Sequence, residues 1–208
     1  MSALIDAAKA KDYPAKISCV ISNIPDAAGL ETARANGVET LAIDHRAFGK
    51  GKEGRAAFEA ALDEALQRFG AEIVCLAGFM RLLTAEFTER WQGKLINIHP
   101  SLLPSFKGLD IHERMIEAGV KIAGCTVHFV SAETDSGPII GQAAVPVAPD
   151  DTPASLAARI LEQEHRLYPE CLAQIASGRA HLDEDSVVRL DGAAPSGALI
   201  NPIPGIRP

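Results

Sequence analysis

The chain has 208 residues and a net charge of −7, with few aromatic residues and abundant aliphatic ones, a size that suits one domain with one substantial core. The acidic balance and the lack of a basic run exclude nucleic acid as a generic partner, and no apolar run approaches the ~20 residues that cross a bilayer. The amino terminus, MSALIDAAKAKDYP, shows no secretory pattern, and Cys19, Cys75, Cys125 and Cys171 form no C-x-x-C pair, so reduced, buried thiols and a cytoplasmic location are expected.

In chain order, residues 2–11 open as a helix-like segment. Short Leu-rich and β-branched runs at 17–22, 40–43, 72–78 and 95–99 read as strands. Helical patterns separate them. Residues 26–36 end at Gly37. In 53–69, Phe58, Leu62, Leu66 and Phe69 recur at three- and four-residue steps before Gly70. Residues 84–91 start at a capping Thr84. Continuous apolar strands alternating with helices predict a mostly parallel, doubly wound α/β sheet, Rossmann-like, with helices on both faces. The runs 125–130 and 139–147, separated by SAETDSGP, predict a late antiparallel hairpin.

A long helix follows Asp151 or Thr152, with Pro153 in its first turn. Leu156, Ile160, Leu167, Leu172 and Ile175 form its apolar stripe. Pro169 inside the stripe predicts a kink or break. Residues 1–180 carry the domain, and 181–208 are expected to be its irregular or short-stranded tail. No G-x-G-x-x-G or G-x-x-x-x-G-K loop occurs, so neither a dinucleotide nor a P-loop nucleotide is announced.

The stretch 94-KLINIHPSLLPSFKG-108 carries the chemistry. Asn97 and His99, two apart at the end of an apolar strand, face one way, at the end of a parallel strand where ligands sit in open α/β sheets. Pro100 and Pro104 stiffen the loop after the strand. A histidine that handles protons needs a charge partner. Asp135, in the turn TDSGP shaped by Gly137 and Pro138, is a candidate, although an Asp there also serves ordinary turn chemistry. His128 in CTVHFV reads as a half-buried strand residue, and Trp91 and His45 as structural. Arg81, directly after a buried strand, and Arg55 on the 53–69 helix are candidate anion contacts. Glu164 lies on the apolar side of the last helix, where a carboxylate is costly unless paired. It is expected to meet a cationic or amine-bearing ligand, or an arginine.

The segments 71-AEIVCLAGFMRLL-83, 95-LINIHPSLLPSFKGLD-110, 124-GCTVHFVSAETDSGPII-140 and 161-LEQEHRLYP-169 together resemble the phosphoribosylglycinamide formyltransferases, the folate-dependent enzymes of purine synthesis. The resemblance runs from residue 1 to about residue 180. It implies that Asn97, His99 and Asp135 form the catalytic trio. It further implies a folate site formed by Arg55, Met80, Arg81, Leu82, Leu83, Asn97 and the loop Ser131, Ala132, Glu133, Thr134 and Asp135. The glycinamide ribonucleotide would meet Leu161, Glu162, Gln163 and Glu164, the last receiving the substrate amine. The implied co-substrate is 10-formyltetrahydrofolate. No metal, nucleic acid or membrane is called for, and the chain would be a monomer or homodimer.

Family members begin with a strand and a Gly-x-Gly-Ser-Asn loop that holds the substrate phosphate, and Met1 aligns just after that loop. Either the start is assigned at an internal methionine or the shorter chain is real. The second case predicts weak ribonucleotide binding and association through an opened sheet. Two other readings are a formyltetrahydrofolate hydrolase, in which water replaces the amine, and an inactive folate-binding remnant.

Overall fold

The computed structural model describes residues 1–191. Most of the expected tail, 192–208, lies outside the described residues. The organising strand is β4 (Leu95–His99). Its adjacent Leu95 and Ile96 point to opposite faces, yet both are fully buried, which requires cover on both sides of the sheet. β3 (Val74–Leu76) runs parallel to β4 on one side. β5 (Ile122–Phe129) is antiparallel on the other, and β6 (Ile139–Pro146) is antiparallel to β5. Three of these four strands therefore point the same way, and β5–β6 is the expected late hairpin. β1 (Val20–Ser22) and β2 (Thr40–Ala42) pair in parallel as a separate ladder.

The pleat sorts the side chains. On one face Leu95 packs with Leu66 of α3 (Gly51–Arg68) and with Phe87 and Trp91 at α4 (Ala85–Arg90). On the other, Ile96, Val127, Phe129 and Ile140 pack against Tyr168, Cys171 and Leu172 of α6 (Pro153–Ala176) and Leu4 of α1 (Ser2–Ala7). α2 (Ala28–Ala35) buries Leu30 and Ala33. A short helix that the sequence pattern did not announce, α5 (Ile111–Glu117), sets Ile111 and Met115 beside Cys125, Leu156 and Ile160.

Two buried acids join α3 to α4. Glu59 accepts from the Thr84 backbone N–H at 2.8 Å and from the Thr84 hydroxyl, while Asp63 accepts from Trp91 Nε1 at 2.9 Å and Arg90 at 2.7 Å. The connection from β3 to α4 is thereby pinned to α3, and Trp91 is structural, as expected. α6 starts at a capping box of Thr152 and Ser155 with Pro153 in its first turn. It runs unbroken through Pro169, so of the expected kink or break the break does not occur. Buried Leu156 and Ile160 before the proline, and Cys171 and Leu172 after it, hold both halves against the sheet, and Tyr13 donates to the Pro169 carbonyl at 2.7 Å. The chain then forms a small antiparallel hairpin, β7 (Ala180–Leu182) and β8 (Val188–Leu190). No described helix is long and apolar enough to cross a membrane.

Candidate active site

Antiparallel pairing sets Asn97 opposite His128 and His99 opposite Thr126. Alternation along the strands puts all four side chains on the face shared with α3 and α4. Beyond His99 the loop is fastened to β5 by one fully buried hydroxyl. Thr126 Oγ1 donates to the Ser101 carbonyl at 2.7 Å and accepts from the Leu103 N–H at 3.0 Å. The Leu103–Pro104 peptide is cis.

Asp135 reaches this strand end from the β5–β6 turn. It sits in the left-handed region at φ 50°, and the turn closes through Gly137. A Cβ at Gly137 would lie 1.8 Å from the Phe129 carbonyl oxygen, so no other residue fits that approach. Asp135 Oδ2 lies 3.4 Å from His99 Nδ1 and accepts the Gly108 N–H at 3.0 Å; Oδ1 lies 3.9 Å from His128 Nε2. The other nitrogen of His99, Nε2, donates to the Phe106 carbonyl at 3.0 Å. Only the imidazolium offers a proton to both acceptors. The Phe106 carbonyl is thus the anchor of the ring, and Nδ1 is left to face the Asp135 carboxylate.

His128 is 2% exposed and belongs to this cluster, correcting its reading as a half-buried strand residue. Its Nδ1–H donates to the Phe129 carbonyl at 2.8 Å, which leaves Nε2 as an acceptor for the Asn97 amide at 3.4 Å. Burial holds His128 below the ordinary imidazole range, against opposing pulls from the Phe129 carbonyl and the Asp135 charge. That favours the neutral ring. With Asn97 Nδ2 committed to His128, the orientation of the carboxamide is fixed. Asn97, His128, Asp135 and His99 thus form one chain of contacts at the end of β4.

The remaining candidates divide. The Arg81 guanidinium stands 5.6 Å from the Phe58 ring centre, one turn from Arg55 on α3. Met80 and Leu82 are 77% and 59% exposed, whereas Leu83 packs into the α3/α4 core. Ser131 Oγ donates to the Glu133 carbonyl, Glu133 faces Lys107 at 3.6 Å, and Ala132 and Thr134 are exposed. Leu161, Glu162, Gln163 and Glu164 lie on α6, on the opposite face of the sheet from the trio. Tyr168 reaches the Ile96 carbonyl at 3.1 Å, and Ile160 packs beside Cys125. Glu164, between them, is therefore level with the end of β4. Burial pushes its carboxyl up, and the nearby terminal ammonium opposes this. The groups that sequence reading missed are His128 and the backbone of Phe106 and Gly108. Strand register would have given the first, and no side-chain signal exists for the other two.

The formyl transferase family matches residues 1–172. The phosphoribosylglycinamide formyltransferase of Haemophilus influenzae is 41% identical over 194 residues, covering 93% of this chain and 89% of that protein. The trifunctional purine biosynthetic protein adenosine-3 of Bos taurus is 47% identical over 185 residues, and the chain spans only 18% of its length. Among solved structures, glycinamide ribonucleotide transformylase 1 from Symbiobacterium toebii superposes with a TM-score of 0.85 at 47% identity, covering 91% of this chain and 87% of that one. On sequence and fold together, the chain belongs to the formyl transferase family.

Proposed function

We propose that the chain transfers the formyl group of 10-formyltetrahydrofolate to the amine of glycinamide ribonucleotide, a step of purine biosynthesis. The observation that carries this is the convergence of Asn97, His99 and Asp135, with Asp135 Oδ2 3.4 Å from His99 Nδ1. The amine attacks the formyl carbon, and the carbonyl oxygen becomes an oxyanion. One N–H of Asn97, oriented by His128, and the Nδ1–H of His99 donate to that oxygen. Asp135 takes the proton that the amine sheds as the new C–N bond forms. When the bond from carbon to the folate nitrogen breaks, the same proton is returned to that nitrogen. Neither a metal nor a covalent enzyme intermediate enters.

Exposed Met80 and Leu82 suit the flat folate ring, and Arg55 and Arg81 suit its carboxylates. Glu164, whose carboxyl is pushed up by burial, receives the substrate amine over the carboxyl edge of the sheet. The test is initial-rate formyl transfer by the purified chain and by Asn97→Ala and Asp135→Asn. Wild-type turnover with a loss of about 100-fold or more in each variant is expected. Variants that keep wild-type kcat would overturn the assignment of these residues.

A further inference from the structure

We infer that Arg114, an exposed residue of α5 outside the cleft, is a positioning residue that aims the His99 ring. This deepens the transferase reading and rests on it for its kinetic arm. The ring is anchored by a backbone carbonyl, so its direction depends on whatever holds that carbonyl. Phe106 belongs to a tight bend in which Phe106 and Asp110 both have φ 54° and Gly108 has φ 85°. Two of these are L side chains in a region they seldom occupy, so the bend needs outside support.

Phe106 packs against the cluster of Ile111 and Met115, and a guanidinium adds polar support. Arg114 Nη1 donates to the Lys107 carbonyl at 2.7 Å and the Leu109 carbonyl at 3.1 Å, and its charged carbon lies 5.8 Å from the centre of the Phe106 ring. It thereby grips the bend on either side of Gly108 and packs on the residue whose carbonyl meets His99. Arg114 itself is carried by a helix fixed through buried Ile111 and Met115. Two further attachments of the bend run to the Asp135 turn. Lys107 reaches the Ser136 hydroxyl, and Gly108 N–H reaches Asp135. Arg114 thus ties to α5 the bend that meets both His99 and Asp135, while touching neither.

The test uses the full chain as wild type, Arg114→Ala and Arg114→Lys, with Glu117→Ala on the same helix as control. The first readout is the nitrogen-15 and proton NMR signature of the His99 ring, which does not depend on turnover. In wild type the Nε2–H is hydrogen-bonded to the Phe106 carbonyl. In Arg114→Ala the Nε2–H signal broadens or exchanges faster, while the Arg114→Lys ammonium, able to donate to the same carbonyls, restores it. The second readout is kinetic. Arg114→Ala lowers kcat about 10-fold or more with KM for the ribonucleotide unchanged, Arg114→Lys recovers most of that loss, and Glu117→Ala matches wild type. An unaltered His99 signature in Arg114→Ala overturns the inference, as does a kcat loss that Arg114→Lys fails to relieve. A shifted His99 signature in a chain that transfers no formyl group supports the positioning role and contradicts the transferase reading instead.

Discussion

Replacing Gly137 by alanine tests the link between backbone packing and chemistry. The added Cβ would meet the Phe129 carbonyl oxygen at 1.8 Å, so the two segments must separate by about 1.2 Å to reach the edge of tolerable contact. Phe129 cannot yield. It is 2% exposed, paired with Ile96 in the sheet, and its N–H is bound by the Pro138 carbonyl at 2.9 Å. The turn must move, and Asp135 is two residues away, already in a left-handed conformation. A carboxylate displaced by ~1 Å from its partner costs about 100-fold in rate, or about 2.7 kcal/mol of transition-state stabilisation. The crowding itself destabilises the fold by about 1–3 kcal/mol. Steady-state formyl transfer, paired with a thermal melt, should show a folded variant with kcat down about 100-fold and KM for the ribonucleotide little changed. A variant with a lowered melting point but unchanged kcat would refute the claim that this contact positions Asp135.

Three further outcomes rest on the packing. Tyr168→Phe removes the hydroxyl that donates to the Leu76 carbonyl at 2.8 Å and the Ile96 carbonyl at 3.1 Å; urea titration should show a loss of about 1–3 kcal/mol. Asp63→Ala leaves the buried Trp91 N–H without its acceptor and should cost about 1–3 kcal/mol in the same assay, with little added by the half-exposed Arg90. Asp151 governs an acid limb. Arg159, donating to both its oxygens, with the Ala148 N–H and the Ser155 hydroxyl, holds its carboxyl well below the usual carboxylate range. The native state therefore binds fewer protons than the unfolded chain, and the stabilisation is fully present above about pH 4, fading as pH falls through the depressed native value. Melts of wild type and Asp151→Asn should differ at neutral pH and converge in acid. Curves that stay parallel throughout would contradict this.

Legibility in the sequence tracked the reach of the interactions. β4 was readable to the residue because LINIH is apolar on both faces up to the point where Asn97 and His99 interrupt it. The two side chains could be placed from the pleat alone. β1 and β3, three residues each, were legible as strands but not in their bounds. Asp135 was a candidate because a working histidine needs a charge partner, and the resemblance implied the pairing, but only the fold supplies the distance. His128 was misjudged because its importance comes from its cross-strand neighbour Asn97, and pairing register is not visible in either segment by itself. α5 was missed because seven residues between glycines carry too few apolar repeats to declare a helix. The break expected at Pro169 did not occur, since the burial of both helix halves outweighs one lost hydrogen bond. The grip of Phe106 and Gly108 on the His99–Asp135 pair uses backbone atoms, which every residue type shares.

The most direct measurement of the central claim tracks the carbon itself. Purified chain is mixed with glycinamide ribonucleotide and 10-formyltetrahydrofolate carrying carbon-13 in its formyl group, and the label is traced by NMR. The proposed chemistry places the label in a formamide on the ribonucleotide, with His99→Ala abolishing its appearance while the fold is retained. Label found as free formate at the same rate with or without the ribonucleotide would contradict the account.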